Sequence, residues 1–150
     1  MLDLNYNLLG AGWAHATISN EKKSLVATVS YLHDALGHLA ESTLYMINGG
    51  VEAHVVFMDE PGEHQLIFSM IDSFEFQYEV LWYEDWESWG MNSSEPFKQI
   101  LTGTCTIERL RNQVTKVLSV ILENIGEKRY KALWIAHDFP IELYHKLNAA

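Results

Sequence analysis

From Phe74 to Trp82 the chain alternates without a break. Phe74, Phe76, Tyr78, Val80 and Trp82 fall on one parity, and Glu75, Gln77 and Glu79 on the other. A period of two over nine residues predicts a half-buried strand. Two further apolar runs precede it from Val51, joined by Asp59-Glu60-Pro61-Gly62-Glu63, a turn sequence. The stretch therefore predicts three antiparallel strands with one face in the core and one in water. Upstream, Trp13–Ile18 and Leu25–Leu32 flank the polar link 19–24 and predict a hairpin. Residues 1–9 are mixed and predict a loose lead-in.

Helical spacing takes over elsewhere. Leu32, Leu36, Leu39, Thr43 and Ile47 draw one stripe, with Ser30 or Asp34 as the cap and Gly49-Gly50 as the stop. Gly37, inside the first turn, suggests a close approach to the sheet. After a polar stretch at 90–99, taken as a surface loop, Ile100–Thr106 predicts a short strand with Cys105 facing inward. Ile107, Leu110, Val114, Val117, Ile121 and Ile125 then recur at three- and four-residue steps, and Thr106 stands at the N-cap position. A shorter helix carries Tyr130, Leu133 and Trp134. Pro140 opens a last one with Ile141, Leu143, Tyr144 and Leu147. The order of elements predicts an α+β fold. It would be one domain over 1–150, with a mostly antiparallel sheet of about five to six strands, a helix inserted after the first hairpin, and two to three C-terminal helices on one face.

Composition changes the picture in two ways. The single cysteine excludes an intrachain disulfide framework and fits a reducing compartment. With no signal-peptide pattern and no apolar run of membrane-spanning length, the expected location is the cytoplasm. Charge is segregated as well. The net value is −10, yet residues 51–95 hold eleven acids and no Lys or Arg, while residues 96–150 hold five acids and eight bases. Such a field repels phosphate backbones and anionic lipid and attracts basic proteins. The expected partner is a basic protein, with no nucleic acid, no membrane and no cofactor; a homodimer through an open sheet edge is an alternative. The plainer reading is that the acids only keep the protein soluble.

Candidate chemistry is sparse. His33 and His38 are five apart, about 140° around a helix, and on a helix would not share a face. His54 and His64 lie on adjoining strands and share a face only in one register. Joined to Glu60 and Glu63 at the hairpin tip, they define a small metal-dependent hydrolase as the alternative function. Against it, the tip reads as exposed, without the enclosure that would perturb a carboxylate. Cys105, in phase with Leu101 and Ile107, reads as a core residue rather than a nucleophile. Glycine-rich phosphate loops and Gly-x-Ser-x-Gly elbows do not occur.

The segment after Trp82 is the best candidate site. Trp86 and Trp89 stand among Glu84, Asp85 and Glu87, and the outer strand face adds Glu75 and Glu79. Aromatic anchors with a charged rim have the composition of a contact surface. The competing reading folds Trp86 and Trp89 back as caps on the core. The leading expectation is a non-enzymatic acidic binding protein, in one version an immunity-type inhibitor of a basic toxin.

Gly12-Trp13-Ala14, Ser30-Tyr31-Leu32-His33-Asp34-Ala35-Leu36-Gly37, Asp59-Glu60-Pro61-Gly62-Glu63, Leu81-Trp82 and the Trp134…Phe139-Pro140 ending together resemble a family of small uncharacterised bacterial proteins. The resemblance implies one intact bacterial domain. It brings no activity and no functional residue.

Overall fold

The structure, a computed structural model, describes residues 1–91 and 97–150. Seven strands form two antiparallel sheets rather than one. The first holds β1 (Asp3–Gly10), β2 (Trp13–Ser19) and β3 (Ser24–Ser30) in the order β1-β2-β3. The second holds β4 (Glu52–Met58), β5 (Glu63–Met70), β6 (Glu75–Tyr83) and β7 (Lys98–Thr106) in sequence order. Helix α1 (Ala35–Ile47) links the sheets, and α2 (Ile107–Asn124), α3 (Glu127–Trp134) and α4 (Ile141–Ala149) follow β7. The fold is α+β, as the pattern predicts. The expected single sheet of five to six strands is corrected to three plus four.

The lead-in at 1–9 is also corrected. Leu4, Tyr6 and Leu8 alternate with Asp3, Asn5 and Asn7 and pair with Ile18, Ala16 and Ala14 of β2. The pattern is that of a half-buried strand, although Asn and Asp have low strand propensity. Alanines alternate with larger residues such as Tyr6, Ile18 and Val29 on this sheet's inner face. Ala14, Ala16 and Ala27 are buried, and α3 contacts β1 and β2 while α2 contacts β1. The inner face of the second sheet is bulkier, with Val55, Phe57, Leu66, Phe68, Phe76, Tyr78, Val80 and Leu101 buried. Residues from both sheets and all four helices belong to one buried cluster. Cys105 faces it opposite Phe76, as its phase predicts. Phe74 departs from the parity set. It precedes β6, in the turn, and is 75% exposed, because Asp72 Oδ1 accepts from the N–H groups of Phe74 and Glu75 and closes the turn there.

The helix caps follow from local chemistry. Thr106 Oγ1 accepts from Arg109 N, and Asp34 Oδ1 accepts from Gly37 N. A Cβ on Gly37 would come within 2.2 Å of Asp34 Oδ2. Glycine there makes room for the capping carboxylate, not for the sheet. The predicted loop at 90–99 is shortened, since β7 begins at Lys98; residues 92–96 of it lie outside the described residues. No helix among the described residues is long and apolar enough to cross a membrane.

Candidate functional site

Register decides where the predicted site residues go. On β4, His54 faces outward with Glu52, opposite Ile67. His64 faces inward between Phe57 and Trp82, 4.7 Å from the Trp82 ring. The two histidines therefore lie on opposite faces of the sheet. Glu60, at the tip, accepts from the hydroxyl of buried Ser30 at 2.6 Å. The four residues of the hydrolase alternative do not converge. Among the described residues no group of three His, Cys, Asp or Glu side chains is placed to hold a metal ion.

The expectation that Glu63 is exposed is overturned. Its side chain is fully buried on the outer face of the second sheet. What buries it is the segment 84–91, which leaves β6, crosses back over the hairpin end and forms a single 3₁₀ turn at Glu87–Trp89. Ser88 donates to Glu63 Oε1 through both its N–H (3.2 Å) and its hydroxyl (2.7 Å), and Gln65 Nε2 donates to Oε2 at 2.7 Å. A second tie runs from Trp86 Nε1 to the carbonyl of Asp59 at 2.7 Å. At the hairpin end Gly62 takes φ +88°, and a Cβ there would meet Trp82 at 2.5 Å and the Tyr83 carbonyl at 2.8 Å, both of β6.

The strap holds its aromatic residues at the surface. Trp86 is half-buried and Trp89 is 51% exposed, their ring centroids 5.1 Å apart at 61°. Neither joins the buried cluster, so the reading of both as caps on the core fails. Tyr83 and Phe97 stack beside them at 5.6 Å. Glu84 accepts from Trp82 Nε1, and Asp85 accepts from Trp86 N. Glu87 is exposed at the turn. Burial, followed by the carboxylates of Glu87, Glu63 and Glu79, pushes the Tyr83 hydroxyl up from its ordinary value. Farther along the outer face, Glu75 is exposed and Glu79 accepts from Gln99 at 2.7 Å. The strap thus gathers Glu84, Asp85, Trp86, Glu87 and Trp89 at one end of β6, while Glu79 lies mid-strand and Glu75 at the opposite end of this interior strand.

A second polar region was missed in the sequence. His33 Nε2 and His38 Nδ1 are 2.9 Å apart. The helical-angle argument fails because α1 starts at Ala35, leaving His33 in the turn before it. The Val56 N–H donates to His38 Nδ1 at 3.3 Å, from the edge strand β4. That nitrogen is an acceptor, so neutral His38 carries its proton on Nε2 and His33 donates through its own Nε2–H. Burial, then the charge of His38, lowers His33 to about 4; burial also lowers His38. Both rings line an open cleft of about 910 Å³ with Asp34, Glu41, His137 and Phe139. Several of its polar groups bond one another or the backbone, while Glu41 and Glu142 add carboxylates to the lining. His137 Nε2 donates to the Tyr31 carbonyl at 3.0 Å, and Lys131 pairs with Asp138 at 3.1 Å.

Fold and sites together define an α+β chain of two antiparallel sheets with an acidic, aromatic strap and a histidine-lined cleft. No protein-family model, curated protein or solved structure matches the chain.

Proposed function

We propose that the protein is a non-enzymatic binding protein whose strap edge, carrying Glu84, Asp85, Trp86, Glu87 and Trp89 with Glu75 and Glu79 behind, grips a basic protein. An immunity-type inhibitor of a basic toxin is one concrete form. One observation carries the reading: exposed tryptophan stands among carboxylates on a stretch, 51–97, that holds no lysine or arginine. Tryptophan supplies contact area and stacks well on cationic side chains. The uncompensated carboxylates steer a positively charged partner and accelerate encounter. The cleft supports an enzyme less well, because His38, His137, Asp34 and Lys131 already have partners within the fold.

Association kinetics with the captured partner test this. Replacing Glu84→Gln, Asp85→Asn and Glu87→Gln together is expected to slow association about tenfold or more at low ionic strength and little at high salt. An on-rate that stays the same at low salt removes the strap edge as the contact surface.

A further inference from the structure

We infer that Glu63 is a positioning residue: its buried carboxylate holds the 84–91 strap against the sheet, so the Trp86–Trp89 pair is already set in the partner-free protein. The purpose of this device rests on the binding function proposed above; its existence does not.

A carboxylate is a costly group to bury. Taken out of water, it needs hydrogen bonds or a counter-charge to offset desolvation. Among the described residues no salt bridge reaches Glu63. It is instead satisfied by three neutral donors, two of them on Ser88 of the strap. Hydrogen bonds to an ionised acceptor are stronger than neutral ones. If the strap lifted, water would replace the two Ser88 bonds, so the hold is the margin of these oriented, charge-assisted bonds over hydration. Apolar contact adds to this: Val56, Met58 and Leu81 are buried on the same outer face, outside the main core, and Trp86 of the strap is half-buried. Ser88 and Trp89 are exposed, no residue of the 3₁₀ turn is buried, and a turn of three residues has almost no stability of its own. The second tie, Trp86 Nε1 to the Asp59 carbonyl, lands on the same hairpin end. The polar ties from Ser88 and Trp86 to this hairpin end therefore fix how the strap sits over that apolar surface. A contact surface ordered in advance loses less conformational freedom on binding.

The test uses the free protein and three variants. Ser88→Ala removes the hydroxyl bond from an exposed position and leaves the core untouched. Glu63→Leu replaces the acceptor by an apolar side chain of similar size. Glu63→Gln keeps an acceptor oxygen for Ser88, with the Gln65 amide free to turn. Amide hydrogen exchange of Ser88, Trp89 and Gly90 is followed beside that of Phe76 and Tyr78 in β6. In parallel, near-ultraviolet circular dichroism reads the coupled Trp86–Trp89 signal, identified by its loss in Trp86→Phe. The expected result is a rise in strap exchange of about tenfold or more in Glu63→Leu, a smaller rise in Ser88→Ala, and a weakened tryptophan signal in both. Strand exchange should stay unchanged in Ser88→Ala, and Glu63→Gln should resemble the parent. Unchanged strap exchange in Ser88→Ala and Glu63→Leu overturns the inference, as does a Glu63→Gln protein whose strap is as free as that of Glu63→Leu. If Glu63→Leu does not fold, Ser88→Ala decides alone. A locked strap without any basic partner would keep this inference and remove the proposed function. A loose strap that still captures a basic partner would do the reverse.

Discussion

The strap and the cleft are both polar clusters at the edge of the second sheet, yet they leave different groups free. In the cleft, the histidines and Asp34 are turned on one another and on the backbone, with Glu41 and Glu142 beside them. His38 accepts from the edge-strand Val56 N–H, His137 donates to the Tyr31 carbonyl, and Asp34 caps α1. In the strap, the internal bonds are concentrated on Glu63, and the groups left over are tryptophan faces and carboxylates pointing at water. Polar residues in a cleft do not by themselves make a site. What matters is whether any of them remains available to a ligand. The cleft's histidines bond within the fold, whereas the strap leaves tryptophan faces and carboxylates exposed.

The largest expected effect is acid sensitivity, which the cleft, through His33, shares with the inner sheet face, through His64. His33 and His64 are both lowered to about 4, His33 by burial and then its neighbour His38, and His64 by burial. The unfolded chain binds the extra proton below about 6.5, the folded chain only near 4. Each histidine thus contributes stability that is complete above 6.5 and is lost as pH falls toward 4. For His64 alone the loss at pH 5 is about 2 kcal/mol; His33, more exposed, contributes less than its shift suggests. Urea unfolding at pH 7 and pH 5 checks this. His64→Phe should lose less stability than the parent between the two values, and an identical loss would remove His64 from the account.

Next in size is Gly62→Ala, at the hairpin end to which the strap is tied. A Cβ at φ +88° that meets Trp82 and a backbone carbonyl should cost at least about 1–2 kcal/mol, measured as a fall in unfolding midpoint together with altered tryptophan circular dichroism. On the cleft side, Asp34→Ala removes the cap of α1 and should cost about 1 kcal/mol without disturbing the strap signal. If both variants moved the strap signal equally, the two regions would not be independent. The smallest stability change belongs to the combined Glu84→Gln, Asp85→Asn and Glu87→Gln variant. Charges at the surface should move unfolding by less than about 0.5 kcal/mol, in contrast to the large effect on association.

Much of this was legible in the chain. The spacing from Ile107 to Ile121 marks α2, with buried residues at Leu110, Val114, Val117 and Ile121 and the cap at Thr106. The alternation at 75–83 marks β6 and places Glu75 and Glu79 outward. The same alternation was present in Leu4, Tyr6 and Leu8, hidden by asparagines that disfavour strands. The division into two sheets was not legible, because a half-buried strand has the same pattern whichever edge it pairs with. The burial of Glu63 depends on a partner 25 positions away and on a segment that reads as a polar tail. The His33–His38 contact hinges on where α1 begins, a boundary that a residue or two of drift reverses.

The most direct measurement is a paired capture from native lysate. Parent protein and a variant combining Glu84→Gln, Asp85→Asn, Glu87→Gln and Trp89→Ala are coupled to beads and eluted by a salt gradient. The account predicts one basic protein retained by the parent to intermediate salt and lost from the variant. Retention of the same proteins by both, to the same salt, would contradict it and leave the acidic strap as a solvated surface only.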